Sequence, residues 1–283
     1  MDLTVNKLFE KAFILHREGK LKEAEPHYRS VLKIQPEHID SNNNLGSLLN
    51  NLGRLEEAEQ FLTKVIELKP DFAQAYNNIG LTFKKKKKFK ESLKNFEKAI
   101  ELKPDYAEAH CNLGNALVFF NRFHEAEKSY RKAIDLKPDF SDFYSNIAVL
   151  LQAVGRLEEA EKNARKAIEL NPDYAAAYSN LSSILQNVGR LEEAEKNARK
   201  AIDLNPDYAE AHGILATILQ ILRKFEEAEV SYKKALGIDS ENKHFRAGYG
   251  SLLLKLNKHI LGLRLITEAQ GVIVFTQSGL KIV

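Results

Sequence analysis

Apolar residues recur at helical spacing along most of the chain, in paired stripes that are separated by a short break. The clearest stripe lies in RLEEAEKNARKAI at 156–168, where Ala160, Ala164 and Ile168 share one helix face. The break often contains glycine, as at Gly53. This pattern predicts repeated units of helix, short turn and helix, whose apolar faces must be buried by neighbouring units.

The units recur with a fixed period of 34 residues. Nearly identical text surrounds each break between units, for example AIELNPDYAAAY at 167–178 and AIDLNPDYAEAH at 201–212. A fixed period of this length is typical of arrays of helical hairpins. We expect the proline to end each second helix and the following Asp to cap the next helix. Six of the seven prolines keep this step: Pro36, Pro70, Pro104, Pro138, Pro172 and Pro206.

The period divides the chain into seven copies and a degenerate eighth copy. The eighth copy, at 243–270, follows Ser240, which stands where the other copies have proline. The remaining residues, 271–283, are rich in β-branched residues around a Thr276–Gly279 turn and predict a short tail resembling a β-hairpin. The seven copies are predicted at 5–38, 39–72, 73–106, 107–140, 141–174, 175–208 and 209–242.

The positions within each copy resemble the motif of the tetratricopeptide repeat family, from residue 5 to about residue 270. The resemblance implies an all-α fold, a right-handed α-solenoid or superhelix whose first helices line a concave groove. It also implies a role in binding proteins. In the copy at 73–106 the matching residues are Tyr76, Ile79, Gly80, Phe83, Ser92, Phe96 and Ala99.

Composition narrows the function further. The net charge is only +3, so nucleic acid is an unfavoured partner, and Cys111 is the only cysteine, so a multi-cysteine metal site is excluded. We find no catalytic constellation, and we expect a non-enzyme without cofactor or metal. No apolar run is long enough for a membrane helix, and the N-terminal segment does not resemble a signal peptide. A cytoplasmic protein is therefore expected.

One polar position on the predicted groove also recurs every 34 residues and is asparagine in five copies. Side-chain amides at this spacing could donate and accept hydrogen bonds along an extended peptide. The series, called here the asparagine ladder, resembles the ladder in the repeat region of O-linked N-acetylglucosamine transferase. That resemblance implies sequence-tolerant contacts to a peptide backbone. The ladder residues are Asn44, Asn78, Asn112, Asn146 and Asn180.

Further polar residues are expected beside the ladder, and Ile214 interrupts it in the seventh copy. An alternative interpretation is that the asparagines connect helices within the array, or that they persist from duplication of the units. Both interpretations remain open from the sequence. The additional predicted peptide-binding residues are Asn43, Asn77, Gln152, Gln186 and Gln220.

A run of lysines in the third copy is a second candidate surface. It could bind an acidic partner or a phosphate backbone, or it could be a solvated turn. Two further hypotheses stay open: a non-catalytic targeting subunit or remnant of an enzyme such as a glycosyltransferase or other transferase, and self-association. The sequence does not predict the oligomeric state. The lysines of this patch are Lys84, Lys85, Lys86, Lys87, Lys88 and Lys90.

Overall fold

A computed structural model describes residues 3–270 and two short strands beyond them. The described chain is almost wholly helical, which confirms the predicted fold class. The strands pair antiparallel, with Thr276 opposite Gly279. The elements are α1 Leu3–Arg17, α2 Leu21–Ile34, α3 Ile39–Asn51, α4 Leu55–Leu68, α5 Ala73–Lys85, α6 Phe89–Leu102, α7 Ala107–Phe119, α8 Phe123–Leu136, α9 Ser141–Ala153, α10 Leu157–Leu170, α11 Ala175–Asn187, α12 Leu191–Leu204, α13 Ala209–Ile221, α14 Phe225–Ile238, α15 Lys243–Lys255, α16 His259–Gln270, β1 Ile273–Thr276 and β2 Gly279–Ile282.

The helices form antiparallel hairpins in two compact units. The first unit, Met1–Pro138, contains α1 to α8, and the second, Asp139–Val283, contains α9 to α16 and both strands. In each unit the two helices of a copy pack on each other, and the second helix packs on the first helix of the next copy. We call the surface formed by α3, α5 and α7, and separately by α9, α11, α13 and α15, the first-helix face of its unit.

The turn inside each hairpin requires one residue in the left-handed backbone region. Gly53 has φ +77° there, and it closes α3 with a hydrogen bond from its N–H to the carbonyl of Asn50. Copies without this glycine force another residue into the same conformation, such as Lys87 with φ +59°. Such a residue costs about 1 kcal/mol relative to glycine. The turn is therefore set by the fold, and glycine only makes it easier.

The predicted aspartate caps are wrong. In most copies the residue at the helix N-cap is the aromatic residue after the aspartate, such as Tyr106 or Tyr174, and its side chain makes no capping hydrogen bond. The aspartate lies one position too early in the chain to reach the first free N–H groups of the helix. Side-chain caps are present at His38, which accepts a hydrogen bond from Ser41 N–H, and at Asn242.

The interior of each hairpin depends on the sizes of two residues 16 positions apart. In the copy at 73–106 a Cβ at Gly80 would lie 2.6 Å from the ring of Phe96, so glycine leaves room for that ring. Copy five has Ala148 and Ala164 at the two equivalent positions, and both are fully buried. In these two copies a large residue facing glycine and a small residue facing alanine fill the same space, as close packing requires.

The second helices of neighbouring copies are joined by ion pairs. In the first unit Arg54 binds Glu25 of the preceding copy at 2.8 Å and Glu57 of its own copy at 2.6 Å. Arg29 completes the network by contacting both glutamates, at 2.8 and 2.9 Å. A network of this kind stabilises the stack more than isolated surface pairs would. In the second unit Glu229 accepts from Lys233 and Lys258.

Candidate functional site

The asparagine ladder lies on the first-helix face of each unit. Asn44, Asn78 and Asn112 stand on α3, α5 and α7 of the first unit, and Asn146 and Asn180 stand on α9 and α11 of the second. All five side chains are half-buried. A half-buried position leaves part of each amide accessible while the rest of the side chain packs against its neighbours.

Ladder asparagines connect successive copies by hydrogen bonds. The Nδ2 of Asn78 donates to Oδ1 of Asn43 at 3.0 Å, and the Nδ2 of Asn112 donates to Oδ1 of Asn77 at 2.9 Å. Both acceptors belong to the residue just before the ladder position in the preceding copy, which we call the acceptor position. In the second unit Ser145 occupies the acceptor position, and its Oγ accepts from Asn180 at 2.9 Å.

A buried tyrosine joins the same contact. The hydroxyl of Tyr106, at the start of α7, hydrogen-bonds to Asn77, which is only 4% exposed. Burial raises the pKa of Tyr106 to about 12, and the carboxylate of Glu108 adds to this rise. Tyr208 has an equivalent arrangement, in which burial raises its pKa and Ser179 supplies the hydrogen bond. At Asn77 the acceptor position therefore contacts both the N-cap residue of α7 and a residue within α7 by uncharged hydrogen bonds.

The other predicted peptide-binding residues have different surroundings. Asn43 and Asn77 are buried at the acceptor position, so they fix the ladder and have little surface of their own. Gln152 donates from Nε2 to Oγ of Ser183 at 2.8 Å, which connects α9 to α11. Gln186 and Gln220 line a cavity in the second unit. These residues share one predicted role in the sequence, and in the structure they have three different surroundings.

The lysine run is divided between two helices and their turn. Lys84 and Lys85 end α5, and Lys90 lies in the first turn of α6. Lys85 Nζ donates to the carbonyl of Asn50 at 2.6 Å. Lys86 Nζ binds Glu59 at 2.7 Å, and Lys88 Nζ lies 5.6 Å from the ring centroid of Phe83. Lys85 and Lys86 therefore already make contacts within the protein that stabilise the fold.

Metal and catalytic chemistry have little support among the described residues. Across residues 3–270, His, Cys, Asp and Glu form no group of three or more that could hold a metal ion. His110 and His212 have structural contacts, because each places Nε2 2.9 Å from a proline carbonyl at the end of the preceding helix, Pro104 or Pro206. Within the described part of the chain, no helix is long and apolar enough to span a bilayer.

Stacked hairpins with this repeat period and these small-residue positions define a class of helical repeat proteins. The chain belongs to the tetratricopeptide repeat family. The family model described as Cilia and flagella-associated protein 70 C-terminal domain matches residues 38–247, and the model described as Tetratricopeptide repeat matches residues 8–38. No curated protein sequence matches the chain significantly.

Solved structures share this fold. A chain of the APC/C hetero-tetramer Cut9-Hcn1 matches with a TM-score of 0.79 and 15% identity. The match covers 93% of this chain and 52%, about half, of the Cut9-Hcn1 chain. A tetratricopeptide repeat protein from Parabacteroides merdae ATCC 43184 matches with a TM-score of 0.68 and 17% identity, over 89% of this chain and 100% of that one. YrrB, a TPR protein with an unusual peptide-binding site, has a TM-score of 0.50 and 26% identity, covering 65% of this chain and 95% of that one.

Proposed function

We propose that this protein is a non-catalytic interaction scaffold that binds an extended segment of a partner protein on its first-helix face. The ladder asparagines contact the peptide backbone and tolerate different sequences. The observation that carries this proposal is the hydrogen bond from Nδ2 of Asn78 and Asn112 to the acceptor position of the preceding copy. The similarity to YrrB, which has a peptide-binding site, supports the same class of ligand.

The hydrogen bonds between copies hold the amides of Asn78 and Asn112 in place for a ligand. They use one N–H of Asn78 and one of Asn112, and the other N–H and the Oδ1 of each side chain make no hydrogen bond to the described residues. An amide can donate and accept at once, which is what one peptide unit requires. Because the side chain is already held in place, binding costs less conformational entropy than it would for a mobile asparagine.

The expected affinity is moderate. Each hydrogen bond contributes about 1 kcal/mol net, and a few such bonds offset only part of the cost of ordering a peptide. A dissociation constant of roughly micromolar order follows. Loss of one ladder residue should weaken binding slightly, whereas loss of three in one unit should weaken it strongly.

A selection from a displayed library of random 12-residue peptides tests the proposal. We compare the wild-type protein with a variant that carries Ala at Asn44, Asn78 and Asn112. The matched control carries Asn43→Ser and Asn77→Ser, because serine occupies the acceptor position at Ser145 and accepts from Asn180 there. Circular dichroism and urea unfolding first establish that all three proteins fold.

The proposal predicts that peptides selected on the wild-type protein bind the serine control within about threefold and the alanine variant at least about tenfold more weakly. The selected peptides should share little side-chain sequence along the ladder. If the selected peptides bind the folded alanine variant as tightly as the wild-type protein, the ladder is not part of the binding surface.

A second candidate surface is favoured by an exposed aromatic pair beside the lysines. Phe89, between Lys88 and Lys90, stacks on Phe119 with 3.7 Å between ring centroids, and Phe119 is 55% exposed. Lysines around an accessible aromatic ring suit an acidic protein segment that carries an apolar residue. Binding of a Glu-rich peptide with one Phe should weaken steeply as the salt concentration rises from 50 to 300 mM, and it should be lost in a Phe119→Ala variant. Binding that is insensitive to both changes would show that the peptide does not bind at this surface.

A further inference from the structure

The second unit contains a cavity of about 440 Å³ on its first-helix face, at the place where the ladder stops. We call it the ladder-end cavity. Residues of α11, α13, α14 and α15 form its walls, and Ile214, which occupies the ladder position of the seventh copy, is one of them. The cavity therefore continues the same face on which Asn146 and Asn180 stand.

Two substitutions relative to the other copies open this space. At the acceptor position the seventh copy has Gly213, and the ring of Phe245 occupies the volume that a side chain would need, 2.3 Å from the ideal Cβ. At the ladder position the eighth copy has Gly248, and the hydroxyl of Tyr232 lies 2.6 Å from its ideal Cβ. The polar pair of the earlier copies is thus replaced by glycine, isoleucine and two aromatic rings.

The lining combines apolar walls with a polar end. Ile214, Ile221 and Phe245 supply apolar surface, and Ile221 is 49% exposed at the mouth. At the polar end the hydroxyl of Tyr232 lies 3.2 Å from Oγ1 of Thr217 and 3.3 Å from Oε1 of Gln220. The Nε2 of Gln220 makes no hydrogen bond to the described residues, so the cavity offers both apolar contact and polar groups.

We propose that the ladder-end cavity binds one aromatic side chain with a polar tip, tryptophan or tyrosine, of the extended peptide. This inference rests on the proposed function and assigns to it a specific anchor residue. A volume of 440 Å³ is at the small end of ligand sites, which span about 300 to 1,000 Å³, and suits one large side chain. Aromatic residues with an N–H or O–H combine an apolar body with one hydrogen bond, as this lining requires.

The opposite charges at the rim support the choice of an uncharged side chain. Glu210 and Lys255 both line the cavity, so neither sign of charge dominates its mouth. A cationic or anionic ligand side chain would also lose its hydration against Ile214, Ile221 and Phe245 without a buried counter-charge. An aromatic side chain loses little hydration and gains apolar contact.

The decisive variant restores the ladder. Ile214→Asn places an amide where the wild-type protein has an apolar wall, and Ser179 lies at the acceptor position of the preceding copy. Asn180 already donates to Ser145 in the equivalent arrangement at 2.9 Å, so the new asparagine has a partner.

Ile221→Ser is a second variant, because a half-exposed residue can be changed with little effect on folding. Val230→Ser, on the second helix α14 and 64% exposed, is the control outside the cavity.

N-acetyl-L-tryptophanamide serves as the probe and is titrated into the ¹⁵N-labelled full chain. We expect amide shifts at Gly213 and Gly248 with a millimolar dissociation constant for the wild-type protein and the Val230→Ser control. Binding should weaken about tenfold or more in Ile214→Asn and in Ile221→Ser. The absence of shifts around Gly213 and Gly248 in the wild-type protein, or unchanged binding in both folded cavity variants, would overturn the proposal.

The random-peptide selection separates this inference from the proposed function. Wild-type protein should enrich Trp or Tyr at one fixed position, and Ile214→Asn should still select peptides but lose that preference. If the probe binds in the cavity but no peptides are selected, the scaffold proposal fails while the aromatic site stands. If peptides are selected without an aromatic preference, the anchor assignment fails while the scaffold proposal stands.

Discussion

Within the second unit, copies five and six differ from copies seven and eight in how they fill the same contact between copies. In the earlier pair Ser145 accepts a hydrogen bond from Asn180 and also hydrogen-bonds with the hydroxyl of Tyr174. In the later pair the acceptor position is Gly213, and the ring of Phe245 fills the space above it. One contact is held by hydrogen bonds and the other by an aromatic ring.

The difference teaches that the fold tolerates either solution but that the two leave different surfaces. Hydrogen bonds between copies leave a polar face with amides at a regular spacing. In copies seven and eight the ladder positions carry Ile214 and Gly248 in place of the amide, and the ladder-end cavity lies beside them. A repeat array can thus change its ligand chemistry from one end to the other without changing its helices, because each copy contacts only its neighbours.

The largest expected effect is on the aromatic ring that holds copies seven and eight. Phe245→Ala should lower the free energy of unfolding by about 3 kcal/mol, because the ring is buried above Gly213 and would leave a hole. Urea unfolding of the full chain measures this. Ile260→Ala, at a residue that is 89% exposed, is the control and should change stability by less than about 0.5 kcal/mol.

Exchanging the acceptor residues should have unequal costs in the two regions. Gly213→Ser should cost about 2 kcal/mol, since its Cβ would meet the ring of Phe245 at 2.3 Å. Ser179→Gly, the reverse change one copy earlier, should cost about 1 kcal/mol through helix propensity and the lost contact to Tyr208. Equal costs in urea unfolding would show that the ring can move aside and that the two contacts are equivalent.

Exchanging the ladder residues should have a smaller effect. Asn180→Ala should cost about 0.5 to 1 kcal/mol, because it removes the donor to Ser145 but gains helix propensity. Ile214→Asn should change stability by less than about 1 kcal/mol, since the new amide faces Ser179 in the same arrangement. Thermal and urea unfolding report both changes, and a loss above about 2 kcal/mol for Ile214→Asn would contradict the proposed equivalence of the two sites.

The smallest expected effect is electrostatic and depends on pH. Hydrogen bonds from Lys233 and Lys258, with a further one from Tyr249, lower the pKa of Glu229 to about 2. A carboxylate with a lowered pKa stabilises the folded state above its unfolded pKa of about 4.5, and this contribution is lost as the pH falls from about 4.5 to about 2. Glu229→Gln should cost about 0.4 kcal/mol at pH 7.

The pH dependence itself is the control for that prediction. The difference in unfolding free energy between wild type and Glu229→Gln should shrink as the pH falls below about 4.5 and should nearly vanish at about pH 2. A difference that stays constant across this range would mean that shape, and not charge, accounts for the cost.

The helical hairpins could be predicted from the sequence because two strong local signals coincide. The 34-residue step of the prolines and the apolar stripe around Ala160 both indicate where helices lie. Gly80 was visible as a motif position, and the ring of Phe96 occupies the space that it leaves. The aspartate caps failed because a shift of one residue at a helix start is below what composition can resolve.

The candidate site could be predicted only in part. The spacing of Asn78 and Asn112 was visible, but their hydrogen bonds to Asn43 and Asn77 join residues 35 positions apart and depend on the stagger between copies. The sequence signal for the cavity is the replacement of the polar residues of the earlier copies by Gly213 and Ile214. This signal could be interpreted only once the structure showed that the ring of Phe245 fills the space above Gly213.

The most direct test of the central claim observes the ladder amides themselves. We would follow the side-chain NH₂ resonances of Asn78 and Asn112 during titration with a peptide selected on the wild-type protein, and assign each resonance by single substitution. The account predicts that both resonances shift and saturate with the same dissociation constant as the backbone signals of α5 and α7. Saturated backbone shifts elsewhere with both ladder amides unmoved would contradict it and would assign the partner to another surface.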